Sequence, residues 1–145
     1  MANYEFWSDL KVGQDGERRV AERILKRIPK SKYLGSNHNS AGDLLMEIYG
    51  RPVLVEVKTD LMSSQTGNIA IEYESRGKPS DICVSRAPVW VFIYCGDRMR
   101  MVKLETLVNA YSDKGFRHVV GGDVGSRTKM FLVSVETFET WGITL

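Results

Sequence analysis

The chain has 145 residues and a mass of 16.4 kDa, with 43% hydrophobic and 26% charged residues. That is the size and composition of one globular domain spanning 1–145, and it excludes disorder, collagen-like repeats and a disulfide scaffold. The net charge of +2 is uneven, because residues 11–35 hold eight Lys or Arg against three Asp or Glu. A basic helix on a near-neutral body suits an anionic partner such as nucleic acid, and it equally suits a plain solvated helix face.

No apolar run approaches the roughly 20 residues of a membrane span, and MANYEFWSDLKVG has no signal-like apolar stretch. A cytoplasmic protein without membrane contact is expected. Cys83 and Cys95 are too few and too far apart for a zinc ribbon and read as buried apolar fillers. His38 and His118 cannot build a His-rich zinc site unaided, so any metal would be held mainly by carboxylates.

In chain order, residues 14–28 predict a helix with Val20, Ala21, Ile24, Leu25 and Ile28 on one side, Arg19, Arg23 and Lys26 on the other, and Pro29 ending it. A polar loop is predicted at 36–40, then strands at 44–49 and 53–57. Gly50-Arg51 between them fits a type II′ hairpin, which would set Leu45 opposite Glu56 and Asp43 opposite Lys58. Further strands are predicted at 69–73, 89–94, 99–104 and 130–135, with a helix at 105–111, a mobile loop at 121–126 and a helical turn after Val135.

The charges matter for where these periods put them. Glu17 falls inside the apolar stripe of its helix, so it either faces inward and needs a cationic partner, or favours the helix dipole from the rim. Along the second strand Leu54, Glu56 and Lys58 share one face and Val53, Val55 and Val57 the other. Asp43, Glu56 and Lys58 would cluster at one end of the hairpin, with Glu17 joining them if its helix packs there.

Converging carboxylates without sulfur or several imidazoles form a hard oxygen site, suited to Mg²⁺ or Mn²⁺. Such an ion acts on phosphate esters by neutralising phosphoryl charge and acidifying water. A neighbouring lysine can orient or deprotonate that water, or act as a fixed positive charge.

Asp43, then Glu56-Val57-Lys58 on a strand, preceded by a helix carrying Glu17 within Gly13-Gln14-Asp15-Gly16-Glu17, resembles the PD-(D/E)xK nuclease superfamily. Gly42 stands where many members have proline. The resemblance spans about residues 13–95 and implies a restriction-endonuclease-like α/β fold, a mixed central sheet flanked by helices. It further implies Mg²⁺ bound by Glu17, Asp43, Glu56 and the Val57 carbonyl, with Mn²⁺ able to substitute, and Lys58 as the catalytic lysine. The segment from Thr59 to Glu74 is similar to phage members of the superfamily and makes Gln65 an accessory candidate. Ser36, His38 and Asn39 could hydrogen-bond phosphates or belong to an ordinary polar loop.

Three other signals fail. The glycine-rich 121–126 lacks the Gly-Lys-Ser/Thr ending of a phosphate loop, although Arg127 and Lys129 beside it could touch a DNA backbone. Trp90, Phe92 and Tyr94 alternate as core residues do, and Trp141 reads as packing. No Gly-x-Ser-x-Gly elbow is present.

The resulting expectation is a Mg²⁺-dependent DNA endonuclease that reads duplex or branched DNA through backbone and shape, plausibly as a homodimer. A Holliday-junction resolvase and a non-hydrolytic DNA-binding or assembly module of the same fold are the alternatives.

Overall fold

The computed structural model describes residues 15–39, 42–122 and 125–145. Gly13, Gln14, Ser40, Asp123 and the side chains of His38 and Asn39 lie outside what is described. The first helix, α1 (Asp15–Arg27), buries Glu17, Val20, Ala21 and Ile24 on one face, as its periodicity predicts. Three antiparallel strands follow, β1 (Lys32–Asn39), β2 (Gly42–Ile48) and β3 (Arg51–Thr59). The predicted loop at 36–40 is therefore largely strand. Its polar sequence hid an edge strand, whose pairing with β2 is broken by register shifts that alternation does not reveal.

The β2–β3 turn also departs from expectation. Ile48 pairs with Arg51, Leu45 with Leu54 and Leu44 with Val55, so the turn residues are Tyr49 and Gly50 rather than Gly50 and Arg51. Both have positive φ, 51° and 77°, as a type I′ turn requires, and a tyrosine is an unusual first residue there. The ladder is displaced by two residues from the predicted one. Asp43 comes opposite Glu56 instead of Lys58, and Leu45 opposite Leu54 instead of Glu56. A two-residue slip preserves the faces, so Asp43, Glu56 and Lys58 still lie on one side.

After β3 the chain crosses through a short helix, α2 (Ser63–Thr66), β4 (Asn68–Ser75), β5 (Lys78–Pro79) and a 3₁₀ turn (Asp81–Cys83). It returns as β6 (Val89–Tyr94) parallel to β3, and β7 (Arg98–Lys103) pairs antiparallel with β6. Helix α3 (Leu104–Tyr111), β8 (Arg117–Gly121), β9 (Thr128–Ser134), α4 (Val135–Phe138) and β10 (Ile143–Thr144) complete the chain. The first sheet has the order β1-β2-β3-β6-β7-β10, and the second, all antiparallel, β5-β4-β9-β8.

The result is a mixed α/β structure whose first sheet is mixed and is covered differently on its two faces. On one, Leu44, Met46, Val55, Val91 and Ile93 pack against Val20, Ala21 and Ile24 of α1. On the other, Trp90, Phe92 and Tyr94 pack against Ile69, Ile71, Phe131 and Val133 of the second sheet, with Leu107 of α3 and Phe138 of α4 closing the core. The expected mixed sheet is present, with α1 on one face, while a second sheet takes most of the other. No helix among the described residues is long and apolar enough to cross a membrane. Of the two cysteines only Cys95, half-buried in the β6–β7 turn, packs against the core; Cys83 is exposed in the 3₁₀ turn.

Gly16 sets how closely α1 meets β3. A Cβ there would stand 2.7 Å from Thr59 Oγ1 and 3.6 Å from Val57 Cγ1. Gly16→Val is expected to lower stability by about 1–3 kcal/mol, the usual cost of overpacking, measurable by urea unfolding.

Candidate active site

The pleat and the β2–β3 register together bring the acids into contact. Asp43 stands at the start of β2, where its Oδ2 accepts a 2.8 Å hydrogen bond from the Val57 backbone N–H. Glu56, on the Asp43 face of β3, lies near enough to the Asp43 side chain for the two carboxyl groups to interact. In an antiparallel ladder a residue's N–H and C=O face the same neighbour, so the Val57 carbonyl also points toward the β2 side, beside Asp43. Two carboxyl groups and a carbonyl thus converge at one strand end.

Two like charges in contact cannot both be stable in a half-buried setting. Burial, a hydrogen bond to Asp43 and the charges of Asp43 and Asp81 push Glu56 up to about 8, against the pull of Lys58. Near neutral pH Glu56 is therefore favoured in its protonated form.

Lys58, two residues on, faces the same side and is held by two groups that sequence reading did not identify. Its Nζ donates to Asp81 Oδ2 at 3.0 Å, and it lies 5.6 Å from the centroid of the Trp90 ring. Burial disfavours the ammonium, but Asp81, Glu56 and Glu72 outweigh it and hold the pKa above the ordinary lysine value. Lys58 is therefore favoured as the ammonium, which suits the role of a fixed positive charge. Asp81 has φ 46°, a left-handed conformation that costs energy for a residue other than glycine and that places its carboxylate toward β3.

Glu72 of β4 completes the arrangement from the second sheet. Burial first, then a hydrogen bond to Asp81 and that residue's charge, raise it to about 7. From the sequence Glu72 reads first as part of a solvated strand face, and its place here follows from the two sheets meeting. Asp81 carried no periodic signal, being in a crossover segment 23 residues from Lys58.

The other candidates fall elsewhere. Glu17 is buried at 3% exposure, and the turn of α1 that carries it lies against Val57 and Thr59, on the face opposite Glu56 and Lys58. The expected meeting of three acids on one side is thus reduced to two. No group of three His, Cys, Asp or Glu side chains fit to hold a metal occurs among the described residues. Gln65 is exposed on α2 and does not line the cleft beside Lys58. Ser36 Oγ lies 2.8 Å from Tyr33 Oη in a strand rather than a loop. Lys129 is paired to Glu74 at 3.0 Å.

The Asp43, Glu56 and Val57 oxygens fit a hard divalent cation such as Mg²⁺, which commonly takes one or two protein carboxylates and fills its remaining positions with water and substrate oxygens. Beside them is a cleft of about 220 Å³ whose lining includes Lys58, Asp60, Leu61, Met62, Glu72 and Asp81. Comparison with protein-family models, with curated proteins and with solved structures finds no significant match to this chain.

Proposed function

We propose that the protein is a Mg²⁺-dependent DNA endonuclease of the PD-(D/E)xK type, with a restriction-endonuclease-like core formed by α1, β1–β3 and β6. The observation that carries this reading is the contact of Asp43 with Glu56 and the Val57 amide, with Lys58 on the same face of the same strand. That is the arrangement of acid, acid and lysine that the PD-(D/E)xK resemblance implies. It is supported by the parallel pairing of β3 with β6.

On this reading Asp43, Glu56 and the Val57 carbonyl hold the cation. When bound, the cation supplies neutralisation of charge on the phosphoryl oxygens and acidification of water. Lys58 contributes a second positive charge, aimed from the face of β3 at the phosphate, where it favours the more highly charged transition state over the ground state. Asp81 keeps that ammonium in one orientation, and the Trp90 face beneath it limits access of water. Glu17 has no assigned contact with the cation, and Gln65 no role in hydrolysis.

The test is a nicking assay on supercoiled plasmid, single strands and four-way junctions, with Mg²⁺, with Mn²⁺ and with chelator. Cutting is expected only with a divalent cation. Persistence of DNA binding with no cutting under any cation would instead indicate a non-hydrolytic module of the same fold.

A further inference from the structure

Between β3 and α2 the chain presents Leu61 and Met62, which are 81% and 55% exposed. Single exposed leucines are ordinary. This adjacent pair differs because the loop beneath it is tied to both sheets. The Asp60 N–H donates to the Ile93 carbonyl of β6 at 2.8 Å. Asp60 Oδ1 accepts from the amides of Met62 and Ser63, and Oδ2 from the Ala70 amide of β4 at 3.0 Å. Buried Ser63 donates to the Asp60 carbonyl and accepts from the Cys95 amide. The two apolar side chains are thus carried on a stiff support.

They also line the cleft that holds Lys58, so a phosphodiester at Lys58 would have them as neighbours. Glu72 and Asp81 line the same cleft, Asp81 being paired with Lys58. The Leu61 and Met62 side chains offer a phosphate no hydrogen-bond donor, so a second stretch of nucleic-acid backbone is a poor occupant of their part of the cleft. The apolar part of a nucleic acid is the face of a base, and it becomes available where a step is unstacked.

We propose that Leu61 and Met62 form a rigid wedge that inserts against the base stack beside the scissile phosphodiester. The preferred substrate is then DNA already open at that step, frayed, forked or branched, over continuous duplex. This deepens the nuclease reading and rests on it for the identity of the ligand.

The test uses Glu56→Gln protein with chelator, so that nothing is cut, and DNA carrying 2-aminopurine at a fork, a four-way junction or the middle of a duplex. Fluorescence is expected to rise on binding to the fork or junction, to be lost in Leu61→Ser/Met62→Ser, and to return with Leu61→Phe. In cutting-competent protein the double serine change should lower cleavage of forked DNA about tenfold, the loss of one base-stacking contact, and leave single strands within about twofold. Both positions are exposed, and circular dichroism checks that the variants fold.

The absence of any fluorescence response overturns the wedge, as does a serine variant that responds like its parent. A serine variant that changes the sedimentation mass without changing the fluorescence also overturns it, and makes the pair a contact between copies of the chain. Cutting that persists without a fluorescence response removes the wedge alone. A response from a protein that never cuts removes the nuclease reading and leaves the wedge as a DNA-binding device.

Discussion

Replacing Glu56 with glutamine is expected to abolish cation-dependent DNA cutting, by about 10³-fold or more, and at the same time to stabilise the cation-free protein at pH 8. The two effects have one cause. Glu56 is raised from 4.5 to about 8 in the folded chain, chiefly by burial and then by Asp43. The folded protein therefore keeps a proton that the unfolded chain releases above pH 4.5, so this stability is fully present below that pH and is lost as the pH rises through about 8. Glu72, raised to about 7, acts with the same sign.

The melting temperature of the cation-free protein should accordingly fall between pH 5 and pH 8. Glutamine retains a hydrogen bond to Asp43 without titrating. Water reaches the half-buried carboxyl and screens it, which leaves a gain of about 1–2 kcal/mol for Glu56→Gln at pH 8 and none at pH 4. Calorimetry across this range checks it, and a parallel decline in variant and parent would refute the raised pKa of Glu56. Because a cation must displace that proton, the thermal shift produced by Mg²⁺ should be larger at pH 8 than at pH 6 in the parent and absent in the variant.

The second large effect concerns the lysine and its anchor. Lys58→Ala is expected to slow single-turnover cutting by about 10²–10³-fold while DNA affinity changes little, since the ammonium acts mainly on the transition state. Asp81→Asn should slow it by about tenfold. Asparagine tolerates the left-handed backbone at this position, so the substitution removes the charge without forcing the 3₁₀ turn to rearrange. In the Lys58→Ala background Asp81→Asn should add nothing, because Asp81 works through the lysine. Additive losses in the double variant would show that Asp81 instead acts on DNA or supports the fold.

Much of the candidate site was legible because it is carried by short-range periodicities. Alternation along β3 put Glu56 and Lys58 on one face, and the 100° step of α1 put Glu17 among its buried residues; both hold in the structure. The hairpin register was misplaced because Tyr49 occupies a turn position usually taken by Asn, Asp or Gly. The faces survived that error because the displacement was by an even number of residues. Strand β1 was missed because an edge strand is held by backbone hydrogen bonds and carries little hydrophobic signal.

What local pattern could decide was the identity of each face: which side chains of α1 and β3 turn inward, and that Trp90, Phe92 and Tyr94 belong to a core. These follow from backbone geometry over a few residues. Which faces meet was settled at longer range. Packing of α1 on the Val55 and Val57 side, and of the second sheet on the other, separated Glu17 from Lys58 and delivered Asp81 and Glu72 to it. No periodicity encodes such a choice, because it depends on how two hydrophobic surfaces distant along the chain bury one another.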